Sequence, residues 1–348
     1  MCVRKAVNEM LGSLAEDAGI RREDVFQVCV VGNTCMHHLF LGISPASLVH
    51  APYTPAVSER LVLNAGDYGL AVQERAELIM LSDIAGYVGA DTCGCLLAIR
   101  QDQQEEISLM IDIGTNGEMV LGNRERMVTC STAAGPAFEG AKIECGMRGA
   151  AGAVDHVKYE DGKWNYTTVG NKPAVGLCGS GLIDLVAGLL EAGMLDENGV
   201  LRSGQEKQGV FILVPPERGG NERGVYLTQK DLGEVQLAKA AIAAGIQMLM
   251  ERLGITEDDI CSVYIAGAFG NYMDPVSAGK IGLLPATLVK KVKPVGNAAG
   301  EGAKIALVNE KEMLEMDELV RKIEFVELAA SADFQDHFID ELGFETGE

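Results

Sequence analysis

One stretch, residues 107–121, constrains the fold of this chain more than any other. Its sequence is Ile-Ser-Leu-Met-Ile-Asp-Ile-Gly-Thr-Asn-Gly-Glu-Met-Val-Leu. The alternating apolar positions from Ile107 to Ile111 predict a strand that ends at Asp112. Residues 119–121 predict a second strand, and the glycine-containing segment between the two predicts a tight turn. The stretch therefore predicts a β-hairpin with a carboxylate and small residues at its turn.

Two interpretations of this hairpin are open. Gly114 and Gly117 would let backbone N–H groups approach a polyanion, and Asp112 could reach a Mg²⁺ ion or its waters. Alternatively, Asn116-Gly117 is simply the turn of a structural hairpin, since Asn-Gly is the strongest short hairpin signal in a sequence. These residues alone do not decide between a phosphate-binding turn and a structural one.

Composition excludes several classes of function. A chain of 348 residues with 47% hydrophobic content can bury a large core and predicts two or three domains. The net charge of −21 argues against binding to nucleic acid or to anionic membranes, because both need clustered Lys and Arg. The sequence has neither an uncharged apolar run of membrane-spanning length nor an apolar signal core, so a cytoplasmic location is expected.

The nine cysteines predict reduced thiols rather than disulfides or a cluster site. Their number is odd, they are spread along a large chain, and they form neither Cys-x₂-Cys nor Cys-x₄-Cys-x₂-Cys. Cys93 and Cys95 are the closest pair. Residues two apart on a helix point away from each other, so both are expected to be buried apolar side chains.

The chain also contains a repetition at a constant offset of 235 residues. Five positions are identical between the copies, and each copy is preceded by an amphipathic helix. These positions are Gly19, Ile20, Asp24, Val28 and Gly32, which correspond to Gly254, Ile255, Asp259, Val263 and Gly267. In the first copy a buried strand runs through glycine into a helix, which is the α/β crossover pattern. The chain is therefore predicted to contain two related α/β halves, with a boundary at the polar run 101–106.

In the second copy the strand ends in Gly267-Ala268-Phe269-Gly270-Asn271. Two glycines at a strand end leave room for a flat ring against the backbone, although a plain helix–strand turn is equally compatible.

Three further segments are candidates for function. The segment 131–140 is rich in small residues, has turn character and follows a third predicted strand at 126–130. It contains Gly135 and Glu139. Gly179-Ser180-Gly181 opens a helix, where it could hold an anion or could aid close packing. The pair His37-His38 could suggest a metal ligand, but adjacent helix residues face apart, so packed or surface histidines are preferred.

Together these features resemble the actin, sugar kinase and heat-shock ATPase superfamily. More narrowly, four segments, at 31–38, 111–118, 135–147 and 264–271, resemble the C-terminal region of the reductive activators of corrinoid proteins. Their sequences are Val-Gly-Asn-Thr-Cys-Met-His-His, Ile-Asp-Ile-Gly-Thr-Asn-Gly-Glu, Gly-Pro-Ala-Phe-Glu-Gly-Ala-Lys-Ile-Glu-Cys-Gly-Met and Tyr-Ile-Ala-Gly-Ala-Phe-Gly-Asn. The resemblance implies an α/β, ribonuclease H-like fold with duplicated halves, a mixed sheet and helices on both faces.

The resemblance also implies an activity. Members of that family use ATP hydrolysis to drive reduction of cob(II)amide to cob(I)amide in a partner corrinoid protein, with the electron passing through a 2Fe–2S cluster in an N-terminal ferredoxin-like domain. Residues 1–348 depart from the pattern, since no cluster-binding domain is expected within them and they contain one Asp-x-Gly-Thr hairpin where the superfamily has one in each half. Residues 1–104 are thus expected to be the remainder of the first half and residues 105–348 the second half. Full activity is not expected from this chain alone.

By the same resemblance, ATP and Mg²⁺ are the expected ligands, and a 2Fe–2S cluster is expected only in the absent N-terminal domain. Asp112 would lie near Mg²⁺, directly or through water, and Glu118 and Glu139 are candidates for orienting the attacking water. The residues expected to contact the nucleotide are Gly114, Thr115, Asn116, Gly117 and Gly135 at the phosphates, and Gly267, Ala268, Phe269, Gly270 and Asn271 beside the adenosine.

The expected partners are a corrinoid protein and a ferredoxin-like electron donor domain, with a homodimer left open and neither nucleic acid nor membrane involved. Two other classes of function remain open at this point. One is a small-molecule kinase of the same superfamily, although no substrate-binding base is identifiable. The other is a non-catalytic module that docks on a corrinoid protein without using ATP.

Overall fold

The computed structural model describes residues 2–202, 209–270, 272–329 and 331–344, with Ala268 and Phe269 described by their backbone. Within these residues the chain forms two compact units. Unit 1 comprises Met1–Glu105, Asn123–Thr129 and Asn297–Phe325, and unit 2 comprises Glu106–Gly122, Cys130–Gly296 and Val326–Glu348.

Helices and strands occur in both units. The helices are α1 (Cys2–Ala18), α2 (Thr34–Leu41), α3 (Ala90–Ile99), α4 (Gly179–Glu191), α5 (Gln229–Leu253), α6 (Gly267–Gly270), α7 (Pro275–Lys280), α8 (Ala298–Val308), α9 (Glu310–Val320) and α10 (Ala332–Asp340). The strands are β1 (Gln27–Val30), β2 (Leu61–Asn64), β3 (Glu77–Met80), β4 (Ile107–Ile113), β5 (Gly117–Gly122), β6 (Met127–Thr132), β7 (Ala153–Glu160), β8 (Lys163–Thr168), β9 (Gly176–Leu177), β10 (Val210–Val214), β11 (Val225–Thr228), β12 (Ile260–Ala266), β13 (Val292–Gly296) and β14 (Glu324–Phe325).

Unit 1 is built on a three-stranded sheet with the order β1-β3-β2. Strand β3 lies parallel to β1 and antiparallel to β2. Because β1 and β3 are parallel, the segments that follow them lie at the same edge of the sheet. A buried cluster that includes Phe40, Leu78 and Met80 packs against this sheet. In the same unit β14 pairs in parallel with residues 128–129 of β6.

Helices α3 and α8 pack closely within unit 1 through glycines. A Cβ atom at Gly302 would lie 1.8 Å from the carbonyl oxygen of Gly94, and one at Gly94 would lie 2.6 Å from the carbonyl oxygen of Ala299. Real Cβ atoms do not approach backbone this closely, so both positions require glycine. The Gly/Ala-rich character of the α3 sequence is thereby explained as a backbone-to-backbone helix contact.

Unit 2 is organised around the central strands β13-β12-β4-β5-β6. Strand β12 lies parallel to both β4 and β13, whereas β4 and β5 are antiparallel. The sheet is therefore mixed, as expected. The predicted hairpin at 107–121 is confirmed, and β7 and β8 form a second hairpin with Asp161-Gly162 between them.

Helix α5 supports this sheet from one side. Its N-terminus has a capping box, in which Asp231 accepts hydrogen bonds from the Thr228 backbone and hydroxyl. Asp231 also accepts from the backbone N–H of Glu144, so it links the helix start to the segment after β6. A Cβ atom at Gly245 would lie 2.4 Å from Met119 Cε, so glycine lets α5 pack close to β5.

The repetition at 235 residues is visible in the order of elements. Helices α1 and α5 end at Ala18 and Leu253, short 3₁₀ turns follow at 22–24 and 257–259, and strands β1 and β12 come next. Each of these strands pairs in parallel with a later strand, β1 with β3 and β12 with β13. The two halves of the chain are thus duplicated α/β motifs.

Two segments form strands that are not among the predicted elements. Residues 79–80 lie in β3, whose Leu78 and Met80 are buried in the unit 1 core. The stretch 196–227 contains β10 and the start of β11, which pair as a hairpin, while residues 203–208 lie outside the described part. No helix in the described residues is both long and apolar enough to cross a membrane.

Candidate nucleotide site

The turn between β4 and β5 holds the first group of expected site residues. In the antiparallel register Asp112 pairs with Glu118 and Ile113 with Gly117, leaving residues 114–116 as the turn. The backbone N–H of Gly114 donates to the carbonyl of Asn116 over 2.9 Å, which closes the turn. Directly opposed residues project from the same face of a sheet, so the Asp112 and Glu118 carboxylates lie on one face.

The second group is brought to Asp112 by sheet topology. Strands β4 and β12 are parallel neighbours with Asp112 opposite Ala266, so Gly267 follows immediately beside the Asp112 carboxylate. A Cβ atom at Gly267 would lie only 2.7 Å from Asp112 Oδ1, and the glycine has a φ of +88°. Both facts require glycine at this position. The predicted phosphate turn and the predicted adenosine strand end therefore meet within unit 2.

Thr115 is exposed at the tip of the turn and is held by two contacts. Its hydroxyl donates to Glu139 Oε1 over 2.7 Å, and its carbonyl accepts from the Gly135 N–H over 2.8 Å. The small-residue segment after β6 is thus tied to the hairpin. Gly135 has a φ of +75°, a conformation that favours glycine.

Glu118 and Glu139 differ in their surroundings. Glu118 is half-buried on β5 and accepts a long hydrogen bond of 3.5 Å from Ser131 Oγ. Glu139 is exposed and contacts the hydroxyl of Thr115 at the turn itself. Glu139 is therefore bonded directly to a residue of the turn.

Gly117 is required for packing. It is buried, and a Cβ atom there would lie 2.9 Å from Thr132 Oγ1 and 3.2 Å from Ile242 Cγ1. The hairpin can approach β6 and α5 this closely only with glycine at 117. Contact between Gly117 and phosphate stays a prediction, and the structure supplies a packing reason for the residue.

At the strand end after β12, α6 begins directly at Gly267. Gly270 is also a close-packed position, since a Cβ atom there would lie 2.5 Å from Ile265 Cγ2. The predicted contacts of Asn271, and of the Ala268 and Phe269 side chains, lie outside the described residues.

Gly179-Ser180-Gly181 is explained by packing. A Cβ atom at Gly181 would lie 2.2 Å from the carbonyl oxygen of Val154 on β7. Ser180 is buried, and its hydroxyl lies 3.4 Å from Cys178 Sγ. Of the two interpretations of this motif, the structure supports close packing of α4 on β7.

His37 and His38, in unit 1, are buried and engaged in the protein interior. His37 Nδ1 lies 3.2 Å from an Asp83 oxygen, and His38 accepts from the N–H of Ala56. Burial raises the pKa of Asp83, and the hydrogen bond with His37 acts in the opposite direction. Asp83, which also accepts from the N–H of Ala90 at the start of α3, was missed by sequence reasoning. The sequence feature that could have indicated Asp83 is a carboxylate placed between a strand and a helix.

The described residues do not form a metal centre of several side chains. In this part of the chain no group of three or more His, Cys, Asp or Glu side chains is placed to hold a metal ion. All nine cysteines, each within the described residues, are free thiols. Burial raises the pKa of Cys29 to about 11 and that of Cys130 further, so both thiols stay protonated near neutral pH.

The duplicated α/β motif, the hairpin ending in Asp112 and the adjoining Gly267 strand end define an ASKHA domain, the class of actin, sugar kinases and heat-shock ATPases. Comparison with family models agrees. The C-terminal ASKHA domain of RACo matches residues 106–348, and the RACo middle region matches residues 1–104. The chain belongs to the RACo family.

Named relatives and a solved structure are similar over most of this chain. The corrinoid activation enzyme RamQ of Eubacterium limosum is 34% identical over 97% of this chain and 59% of its own length. The Co(II) methylated amine-specific corrinoid protein reductase of Methanosarcina barkeri is 29% identical over 80% of this chain and 54% of its own. A reductive activator for corrinoid,iron-sulfur protein superposes with a TM-score of 0.90 at 37% identity, covering 98% of this chain and 56% of that one. This chain therefore spans little more than half the length of these relatives.

Proposed function

We propose that this chain is the ATP-binding and partner-docking part of an activator that drives reduction of cob(II)amide to cob(I)amide in a corrinoid protein. The observation that carries the proposal is the contact between the Asp112 carboxylate and Gly267, at the carboxyl ends of two adjacent parallel strands. Ligands of open α/β sheets bind at this edge. The names of the similar proteins supply the chemistry of the partner, a corrinoid protein.

The residues at this edge fit an Mg-nucleotide. Asp112 would hold Mg²⁺ or its waters, and the exposed tip of the turn, Gly114 to Asn116, would face the phosphates. The absence of a side chain at Gly267 leaves open the space beside Asp112. Bound Mg²⁺ would neutralise phosphate charge. The protein's own contribution is rigidity, since Gly135 and Glu139 both hold Thr115.

Glu139 is the better placed of the two candidate carboxylates for work at the phosphates. It is exposed at the turn and bonded to Thr115, whereas Glu118 is half-buried on β5. We assign Glu139 to orienting a water or the Thr115 hydroxyl near the terminal phosphate, and Glu118 to supporting the same face of the sheet.

The reduction itself needs one electron for each cobalt, and we propose that a ferredoxin-like 2Fe–2S domain supplies it. ATP binding and partner docking are the roles left to residues 1–348. The free thiols fit a reducing compartment, which supports a cytoplasmic location. Light scattering on the purified chain measures its molar mass and so tests whether it forms a homodimer.

A thermal-shift screen tests the proposed function. Mg-ATP at a hundredfold excess over its Kd is expected to stabilise the folded protein by about 2.7 kcal/mol, seen as a higher melting temperature. Mg²⁺ alone and adenosine serve as controls for the metal and the base.

Other outcomes of this screen would contradict the proposal. Stabilisation by a sugar or a small acid together with Mg-ATP would favour a small-molecule kinase. Stabilisation by a corrinoid protein alone, with none from Mg-ATP, would favour a docking module that does not use ATP.

A further inference from the structure

The C-terminal segment 331–344 lies along helix α5 and contacts it at several points. His337 Nε2 lies 3.0 Å from Glu251 Oε1 near the end of α5, and Gln236 Nε2 donates to the carbonyl of Leu342 over 2.9 Å near its start. Beyond α5, the N–H of Phe344 donates to the carbonyl of Glu197 over 2.8 Å. The segment is therefore docked along most of the helix.

Between these points the segment covers a buried lysine. Lys239 is 1% exposed, and its Nζ lies 3.8 Å from Glu341 Oε2 and 5.7 Å from the centre of the Phe344 ring. A buried ammonium group is costly unless it is paired, and an aromatic face adds attraction. Phe344 is itself 3% exposed. The surroundings of this cation are thus supplied in part by the C-terminal segment.

The turn of α5 that follows Lys239 supports the candidate nucleotide site. Ile242 of α5 packs against Gly117 of the hairpin, where a Cβ atom would lie 3.2 Å from Ile242 Cγ1. One turn further along the helix, Gly245 packs against Met119 of β5. Lys239 and Ile242 are three positions apart, which places them on neighbouring parts of the helix surface. One rigid helix therefore contacts both the C-terminal segment and strand β5 of the hairpin.

We propose that residues 331–344 form a C-terminal latch, whose docking on Lys239 holds α5 against β5 and keeps the Asp112 hairpin ordered. Undocking removes the Glu341 carboxylate and the Phe344 ring from the Lys239 ammonium, and α5 shifts to hydrate the lysine. That shift loosens the packing at Gly117. The effect on nucleotide binding rests on the proposed function, but the effect on the order of the hairpin does not.

Hydrogen exchange of the nucleotide-free protein tests the latch. The double variant Glu341→Gln, Phe344→Ala is expected to exchange the amides of residues 117–121 about fivefold faster or more, the lower end of usual coupling between sites. Both changes lie in the C-terminal segment, so the rest of unit 2 should fold. Unchanged exchange at residues 117–121 would overturn the proposal.

Glu191→Gln is the matched control. It removes the same charge from another Lys–Glu pair of unit 2, in which Glu191 and Lys280 are both exposed. Exchange at residues 117–121 should stay at the wild-type rate in this variant. An increase equal to that of the latch variant would show a general charge effect and would contradict the latch.

A double-mutant cycle with Lys239→Met tests whether the lysine is the group through which the latch acts. Methionine has a similar length and no charge to satisfy, so the helix no longer depends on the carboxylate. In the Lys239→Met background, Glu341→Gln is expected to add nothing to exchange at residues 117–121. Additive effects would mean that the two residues act separately.

Nucleotide binding separates failure of this inference from failure of the proposed function. If Mg-ATP binds, the latch variant should bind about fivefold more weakly, and Mg-ATP should slow exchange in residues 331–344 by the same factor. If wild type does not bind Mg-ATP, the proposed function fails, while faster exchange at residues 117–121 in the latch variant would still support the latch.

Discussion

Gly302→Ala is expected to destabilise unit 1 by about 3 kcal/mol, because overpacking of a close contact costs up to that amount or more. The new Cβ atom would lie 1.8 Å from the Gly94 carbonyl oxygen. The obstructing atom is backbone in the middle of α3, so the conflict is relieved only by moving one helix away from the other. The measurement is urea unfolding followed by circular dichroism.

Gly233→Ala is the matched control for this prediction. Gly233 also lies inside a helix, α5, but a Cβ atom there meets nothing within 4 Å. Alanine is favoured over glycine in helices by about 1 kcal/mol, so this variant should be as stable as wild type or more stable. Equal destabilisation by the two substitutions would show that the α3–α8 contact is not the cause.

Gly267→Ala is expected to weaken Mg-ATP binding by about ten- to a hundredfold, because loss of one interaction made by a charged group costs about 1.5–3 kcal/mol. The methyl group would lie 2.7 Å from Asp112 Oδ1, so the carboxylate must rotate away from its position. The φ of +88° adds backbone strain. Calorimetric titration with Mg-ATP measures the change.

Gly254→Ala separates the two effects at Gly267. Gly254 follows the last residue of α5 with a φ of +70°, and a Cβ atom there has nothing within 4 Å. This control carries the strain of a positive φ without contact with Asp112. Its affinity for Mg-ATP should equal that of wild type, and a comparable loss would assign the effect to strain.

Much of the fold could be predicted from periodicity and spacing. The hairpin at 107–121 has alternating apolar residues and an Asn-Gly turn, and both signals are local. The repetition at 235 residues predicted that a strand precedes Gly267, as one precedes Gly32. The positions of β1 and β12 confirmed this prediction. The family, the ASKHA fold and the relation to corrinoid activators were likewise predicted from four segments, and the comparisons confirmed them.

The contacts between distant segments could not be predicted. That Gly117 faces Thr132 and Ile242 depends on how α5 lies on the sheet, which no local pattern specifies. The burial of Lys239 depends on residues about a hundred positions later in the chain. Asp231 caps the start of α5, which is a local contact. Its bond to the Glu144 backbone joins segments far apart in the chain, and no local pattern specifies it. The division into residues 1–104 and 105–348, and the individual site assignments, stay predictions.

The hairpin that carries Asp112 is proposed to bind an Mg-nucleotide. Calorimetric titration of wild type and Asp112→Ala with Mg-ATP measures this binding, with Asp258→Ala as the control. Asp258 is exposed and lies just before the first residue of β12, whereas Gly267 follows its last residue. Its replacement by alanine changes the net charge as much as Asp112→Ala does, without touching the site. We predict saturable binding by wild type and Asp258→Ala and none by Asp112→Ala. Equal affinity in wild type and Asp112→Ala would contradict the claim.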